Sequence, residues 1–277
     1  METRVLMCPP TYYTVRDVKN PFMRPETPVN RERAAQQWDA LRAAFTQSGV
    51  DVQIVEPVED LEDMVFAANQ VFVGAGAAHA RFIVPSRMRY ESRQREVPYY
   101  VEWFGRHGFE SLDLGLDAKS GEFLEGHGDL MWRPGSNVVL AGHGFRSSEG
   151  GVGRFSQAMQ PEGIQVVPIR LVDETFYHLD TCLSPLNAEA ALFYPGAFAG
   201  GSLDVLRGEW KRLYEVTRED ALQFVCNGMS VNRHFIASHL SPALERALAI
   251  ERLEPVCVDV SEFEKAGGSV FCMKNAF

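Results

Sequence analysis

The sequence predicts an α/β fold. Short apolar runs of strand length alternate with amphipathic stretches of helical spacing along the whole chain. The chain has 277 residues, of which 45% are hydrophobic, so it can bury a large core without disulfides or a structural metal. No linker rich in Pro, Gly or Ser divides it, and we therefore expect a single domain over residues 1–277.

Four stretches carry apolar residues three or four positions apart, the spacing of a helix with one buried face. The last of them has the clearest beginning, because Ser241 is a good N-cap residue and Pro242 suits the first helical position. The four sets are Ala34, Trp38, Leu41 and Phe45; Val97, Val101 and Phe104; Leu203, Leu206, Trp210 and Leu213; and Leu244 and Leu248.

Nine short apolar runs lie between these helices or flank them, and their length predicts strands. A strand–helix unit repeats weakly at about 45–60 residues, although residue identity does not prove a repeat. The predicted strands are Val5–Met7, Val52–Val55, Met64–Phe66, Val71–Val73, Asn137–Ala141, Ile164–Ile169, Ala190–Tyr194, Val256–Val260 and Ser269–Cys272.

The charge pattern argues against two classes of partner. The chain has 27 Lys and Arg against 37 Asp and Glu, a net charge of −10, and it contains no basic run. This argues against nucleic acid and anionic membranes as partners. No apolar stretch approaches the ~18 residues of a membrane span, and the first apolar run is too short for a signal peptide, so we expect a cytoplasmic protein.

Five cysteines are widely spaced and form no CxxC pair. An odd number without such spacing argues against a zinc site and against a complete disulfide framework. We therefore expect a reducing compartment in which a thiol stays free.

Three polar segments interrupt apolar surroundings. The first is Glu125–Asp129, which on its own is equally well a surface hairpin. In the second, His178–Cys182, an extended backbone would put His178 and Asp180 on one side, although a core histidine beside a turn aspartate is the simpler alternative. The third, Gly267–Cys272, ends in a cysteine that alone would be taken for a small buried apolar residue.

Two histidines lie in turns flanked by glycine. They are His127, within the first polar segment, and His143. Histidines in such turns are more often solvated loop residues than catalytic groups, so we expect both to be solvated.

Taken together, these segments resemble the pentein superfamily of guanidine-modifying enzymes in order and residue type. The family includes arginine deiminases, dimethylarginine dimethylaminohydrolases, amidinotransferases and arginine dihydrolases. The resemblance covers nearly the whole chain and implies a five-bladed α/β propeller of ββαβ units around a central polar active site. It rests on Leu6–Pro10, Asn20–Met23, Asp63–Asn69, Glu125–Asp129, His178–Asp180 and Gly267–Cys272.

The resemblance implies a role for each matching residue. Cys272 takes the position of the nucleophile that attacks the central guanidinium carbon. His178 matches the general acid–base, and Glu125 matches the carboxylate that orients it. Asp180 matches an acid that accepts guanidinium N–H groups, for which planar bidentate geometry gives specificity.

Four further residues are expected in the substrate site. Many deiminases have an aspartate at the position that matches Asn69. An asparagine at this position resembles the arginine dihydrolase branch of the family. Arg93 lies where relatives have a substrate-facing arginine, and a solvated surface charge is an equal alternative. Asp129 belongs to a turn one residue longer than the usual one, so it either contacts substrate or supports the site. Asp63 is expected among the substrate-binding residues on the same resemblance.

The sequence therefore predicts a cysteine hydrolase acting on the guanidinium group of L-arginine or a close derivative. The preferred activity is that of a dihydrolase, which gives ornithine, or of a deiminase, which gives citrulline. Dimethylarginine hydrolysis is the alternative, followed by amidinotransfer and by a non-catalytic pentein that binds a partner. We expect no metal and no organic cofactor, and take a homo-oligomer as the working expectation.

Overall fold

The computed structural model describes residues 3–277, which form five sheets of three strands each. The strands are β1 (Arg4–Met7), β2 (Asp51–Ile54), β3 (Val71–Gly74), β4 (Phe82–Pro85), β5 (Glu110–Ser111), β6 (Leu130–Trp132), β7 (Val138–His143), β8 (Gln165–Arg170), β9 (Leu183–Pro185), β10 (Ala190–Phe193), β11 (Arg212–Glu215), β12 (Met229–Val231), β13 (His234–Ala237), β14 (Glu254–Cys257) and β15 (Asn275–Ala276).

Helices connect the strands within and between the sheets. The α-helices are α1 (Arg31–Gln47), α2 (Glu91–Gln94), α3 (Val97–Arg106), α4 (Gly126–Asp129), α5 (Glu149–Met159), α6 (Gly200–Glu209), α7 (Arg218–Leu222), α8 (Pro242–Glu251) and α9 (Ser261–Glu264). Short 3₁₀ helices span Ala118–Ser120, Leu179–Thr181 and Pro195–Ala197. No helix within residues 3–277 is both long and apolar enough to cross a membrane.

All five sheets have the same order. In each, the middle strand is antiparallel to one neighbour and parallel to the other, as in β3-β4-β5 and β6-β7-β8. A helix provides the crossover to the parallel strand, which gives a ββαβ unit. The units form a five-bladed α/β propeller, so the predicted fold class is confirmed.

The two ends of the chain complete one blade together. β15 lies antiparallel to β1, with Val5 opposite Ala276 and Leu6 opposite Asn275. β1 is in turn parallel to β2, which follows α1. Segments near the C-terminus are thereby held against the N-terminal strand, which brings residues distant in sequence to one centre.

The helix signals read from the sequence match the structure closely. α1 buries Trp38, Leu41 and Phe45 on one face. α8 begins as predicted, with the Ser241 hydroxyl accepting a hydrogen bond from the Leu244 amide at 3.2 Å. α6 ends at Glu209, so the prediction was wrong for Trp210, which follows the helix with an extended backbone, and for Leu213, which lies in β11. The helical spacing of these two residues continues past the helix end by chance.

Two predicted strands are turns. Met64–Phe66 and Ser269–Cys272 lack a strand partner, and Ala68 donates a backbone hydrogen bond to the Cys272 carbonyl instead. The extended backbone considered for His178–Asp180 is also absent, because Leu179–Thr181 forms a 3₁₀ turn. These segments are apolar because they are buried at the centre of the propeller, and burial alone does not specify a sheet.

Candidate active site

A small cavity of about 10 Å³ lies where loops from the blades converge. Its volume is on the order of one water molecule, so the side chains around it are nearly in contact. Several of them are charged although they are buried. The lining residues are Lys19, Asn20, Met23, Phe66, Asn69, Arg93, Arg146, Tyr177, His178, Ala266, Gly268 and Cys272.

The Cys272 thiol is held in the turn before β15. The side-chain amide of Asn227 fixes this turn, because its Oδ1 accepts hydrogen bonds from the Ser269 and Cys272 amides, both at 3.2 Å. The Asn227 Nδ2 donates to the Cys272 sulfur at 3.2 Å. Gly268 is required here, since a Cβ atom would lie 2.4 Å from the Phe66 ring.

Asp180 lies directly behind the thiol. The Cys272 Sγ donates to Asp180 Oδ2 at 3.2 Å, while Asp180 Oδ1 is buried and has no hydrogen-bond partner. Burial raises the pKa of Cys272 well above its usual value, and the Asp180 carboxylate raises it further. Burial also raises the pKa of Asp180, to about 7. These surroundings therefore favour a protonated thiol.

His178 is oriented by a buried ion pair. Its Nε2 lies 2.8 Å from Glu125 Oε2, and Arg146 donates to the same oxygen at 2.9 Å. Burial alone would raise the pKa of Glu125, but Arg146 and the His178 hydrogen bond outweigh it and hold the pKa below its ordinary value. Glu125 is thus an anion that fixes the His178 ring.

Asp129 lies close to the same histidine, with its Oδ2 3.9 Å from His178 Nε2. Its Oδ2 accepts hydrogen bonds from the Ser147 hydroxyl at 2.6 Å and amide at 3.2 Å, and its Oδ1 accepts from the Leu179 amide at 3.1 Å. Burial raises the pKa of Asp129 to about 6. Asp129 lies outside the cavity lining, so of the two roles considered, its position favours structural support.

Arg93 and Asn69 form one wall of the cavity. Arg93 is only 5% exposed and donates to Glu96 Oε2 at 3.0 Å, to the Phe66 carbonyl at 3.3 Å and to Asn69 Oδ1 at 3.4 Å. The alternative of a solvated surface charge is therefore wrong. The Asn69 Nδ2 is buried without a hydrogen-bond partner. A Cβ on Gly128 would lie 2.3 Å from this nitrogen, so the turn needs glycine there.

Asp63 does not line the cavity, but it contacts a residue that does. Its Oδ2 is 3.1 Å from the Nζ of Lys19, which also lies 3.3 Å from Glu62 Oε1. Burial opposes the charge on Lys19, but Asp63 and Glu62 raise its pKa above the ordinary value. Lys19 lines the cavity and Asp63 does not, so Asp63 is placed to hold Lys19.

Several site residues escaped the sequence reasoning. Arg146 lies between the rings of Tyr90 and Tyr177, with its guanidinium carbon 4.8 Å from each ring centroid. Together with Asn227 and Lys19, it sits on an irregular connection between strands, where no periodic pattern marks it. A lone charged or amide residue beside apolar ones was the only available signal.

His127 was expected to be solvated, and this was wrong. Its Nε2 accepts a hydrogen bond from the Val73 amide at 3.1 Å, and its Nδ1 lies 3.1 Å from the Leu130 carbonyl. Burial lowers its pKa to about 3, so the ring is neutral. Within residues 3–277, no group of three or more His, Cys, Asp and Glu side chains is arranged to hold a metal ion.

The propeller and the cysteine–histidine–carboxylate centre define the pentein class. The family model described as N,N dimethylarginine dimethylhydrolase, eukaryotic, matches residues 10–276. The chain belongs to this family, within the pentein superfamily.

Two curated relatives of this chain carry different named activities. The bifunctional arginine dihydrolase/ornithine cyclodeaminase ArgZ of Synechocystis sp. is 35% identical over 275 residues, covering 98% of this chain but 37% of ArgZ. The N(G),N(G)-dimethylarginine dimethylaminohydrolase of Mycobacterium tuberculosis is 32% identical over 269 residues, covering 97% of this chain and 84% of the relative. The chain thus spans little more than a third of ArgZ and most of the second relative.

Solved structures agree with the assignment of the chain to the pentein fold. The N-terminal domain of ArgZ bound to product superposes with a TM-score of 0.90 at 34% identity, covering 100% of this chain and 97% of that domain. A dimethylarginine dimethylaminohydrolase adduct has a TM-score of 0.77 at 21% identity and covers both chains fully, which supports the fold alone.

Proposed function

We propose that this chain is a cysteine hydrolase that acts on the guanidinium group of L-arginine or a close derivative. One observation carries the proposal. The Cys272 thiol and the His178 ring line the same cavity, with the Asp180 carboxylate against the sulfur and the Glu125 carboxylate against the ring. A thiol, a proton-transfer group and anions for a planar cation are what nucleophilic attack on a guanidinium requires.

The guanidinium group has donors for the carboxylates that the site presents. Asp180 Oδ1, buried without a partner, is free to accept an N–H from the substrate. The cavity is smaller than an arginine side chain, so binding must displace some of the side chains that line it. The segment with Lys19, Asn20 and Met23 lies between β1 and α1, outside any helix or strand, and is our candidate for the part that moves.

A cationic substrate also activates the thiol. Burial and Asp180 hold the pKa of Cys272 high. A guanidinium beside the sulfur and Asp180 favours the thiolate by Coulomb attraction, so the nucleophile forms mainly when the substrate is bound.

The chemistry then takes two steps. The Cys272 thiolate attacks the guanidinium carbon, and the C–N bond to a terminal nitrogen breaks while His178 protonates the departing ammonia. The product is an S-alkylthiouronium on Cys272. Water, deprotonated by His178, attacks the same carbon and breaks the C–S bond, which releases citrulline and restores the thiol.

Arg93 is our candidate for the α-carboxylate of an amino acid substrate. It is a buried cation on the cavity wall, and a guanidinium matches a carboxylate in a bidentate fashion. Burial would lower the pKa of Arg93, but Glu96 more than offsets it and keeps the group charged.

Asn69 favours a second round of hydrolysis, in which a second ammonia leaves and the remaining carbamate loses CO2, so that arginine and two waters give ornithine, two ammonia and CO2. A neutral amide holds the guanidinium or ureido group less tightly than a carboxylate, which leaves citrulline able to re-enter the reaction. The 35% identity with ArgZ, an arginine dihydrolase by name, supports this choice. The description of the matching family model keeps dimethylarginine hydrolysis as the second candidate.

Product identification is the experiment that tests the proposal. Arginine, dimethylarginine and agmatine are supplied separately, and ornithine, citrulline, ammonia and methylamines are followed. We expect ornithine and ammonia from arginine, and a loss of roughly 10³-fold or more in Cys272→Ser. Cys257→Ser, at an exposed cysteine, is the matched control and should keep full activity.

Three outcomes separate the alternatives. Citrulline alone would exclude the dihydrolase, and methylamine release from dimethylarginine at a higher kcat/KM would favour the second candidate. No turnover of any guanidine, with folded protein, would favour a non-catalytic pentein. A homo-oligomer and a cytoplasmic location stay predictions.

A further inference from the structure

A buried lysine lies next to the catalytic turn and has no role in the chemistry above. Lys274 follows Cys272 by two residues and is 2% exposed. Its Nζ lies 3.2 Å from the centroid of the Phe271 ring. Within residues 3–277, no carboxylate lies within ion-pair distance of this nitrogen and no hydrogen bond from it is formed.

A buried ammonium without an anionic partner is costly, and a cation–π contact offsets only part of that cost. Methionine has a similar length and would pack on Phe271 without this penalty. Packing alone therefore does not account for a lysine here.

Three ionisable groups lie within electrostatic reach of Lys274. Asp180 and Cys272 favour the charged form of Lys274, and Lys274 in turn disfavours the charged form of His127. Burial dominates and lowers the pKa of Lys274 to about 7. Near the thiol, Cys272 and Asp180 both raise the pKa of Tyr177, and Arg146 acts to lower the pKa of Asp180.

We propose that Lys274 is a positioning residue that acts through Cys272: its buried ammonium stabilises the thiolate from the protein interior. The argument rests on the proposed function only in taking Cys272 as the nucleophile. Asp180 must be present to bind a guanidinium, but its charge opposes thiolate formation. A cation on the interior side offsets that charge even before the substrate enters.

The test is the pH dependence of Cys272 alkylation by iodoacetamide in the substrate-free protein, followed by peptide mass spectrometry. In Lys274→Met we expect the rate of Cys272 alkylation below about pH 7, where the wild-type ammonium is charged, to be about tenfold lower than in wild type. Lys274→Arg keeps the charge and should stay close to wild type. Lys265→Met removes a lysine that pairs with Glu262 nearer the surface, and should change nothing.

A second measurement uses the wild-type chain and does not depend on a variant that folds. Cys272 is alkylated with iodoacetate, which leaves an anion, or with iodoacetamide, which leaves a neutral group of similar size. The chain has only five lysines, so the ¹³Cε signal of Lys274 can be assigned and titrated by NMR. We expect the pKa of Lys274 to be about one unit higher in the anionic adduct.

Unchanged alkylation rates below about pH 7 in a folded Lys274→Met, or equal lysine titrations in the two adducts, would overturn the inference and leave Lys274 as a packing residue. Neither measurement uses a substrate. A protein that shows both shifts but hydrolyses no guanidine would therefore refute the proposed function and leave the inference standing.

Discussion

Asp180 Oδ2 lies 3.2 Å from the sulfur of Cys272 and accepts a hydrogen bond from the thiol, so the residue proposed to hold the substrate cation also favours the protonated form of the nucleophile. The second oxygen of Asp180 is buried and unpartnered. One carboxylate is thus placed to bind the guanidinium and to keep the thiol protonated until it arrives. Such a site protects the cysteine from adventitious alkylation or oxidation.

Asp180→Asn should therefore separate two properties that normally change together. Without the carboxylate, the pKa of Cys272 falls, because one of the two causes that raise it is removed. Iodoacetamide should then alkylate Cys272 faster at neutral pH, while kcat/KM for arginine falls by ~10²-fold or more because the guanidinium loses a charged partner. Parallel losses of alkylation and turnover would contradict this arrangement.

Arg93→Gln should reduce the preference for arginine over agmatine, which lacks the α-carboxylate. We expect KM for arginine to rise about tenfold or more, with little change for agmatine, since a buried charge-assisted contact is lost only for the substrate that makes it. Arg95→Gln is the matched control, because Arg95 is exposed two residues further on. Equal effects on both substrates would show that Arg93 only supports the fold of the cavity wall.

Asn69→Asp should shift the product of arginine hydrolysis from ornithine towards citrulline. The carboxylate would pair with Arg93, whose Nη2 already lies 3.4 Å from Asn69 Oδ1, and would hold the cationic guanidinium in preference to neutral citrulline. The ratio of citrulline to ornithine, measured over one time course with both proteins, checks this. Asn20→Asp, at another asparagine that lines the cavity, controls for the general effect of a new acid. An unchanged ratio would remove Asn69 as the determinant of a second round.

The sequence predicted the fold class well because helical periodicity and strand-length runs are local, and because the family resemblance spans most of the chain. The turns at Met64–Phe66 and Ser269–Cys272 were missed because their apolar residues are surrounded by protein on all sides, so composition does not distinguish a turn from a strand. The contacts of Asn227 with Cys272 join positions 45 residues apart on irregular segments. No local pattern encodes such a pair, since only the arrangement of the blades brings it together.

Glu125→Gln should change the way stability depends on pH. In the native protein Arg146 and His178 hold the pKa of Glu125 below the value of about 4.3 expected in the unfolded chain. A lowered pKa contributes stability that is fully present above the unfolded value and is lost as the pH falls through the native one. The variant should lose about 3 kcal/mol at pH 7, because Arg146 is left buried without its partner.

The difference between Glu125→Gln and wild type should then shrink as the pH falls from about 5 towards 3, because wild type alone loses the contribution of the carboxylate. Urea unfolding at a series of pH values measures it. Glu122→Gln is the matched control: Glu122 pairs at 3.3 Å with Arg154, which is half exposed, and its loss should cost below about 1 kcal/mol. Stability curves for Glu125→Gln and wild type that run parallel over this range would mean that Glu125 is not the anion that orients His178.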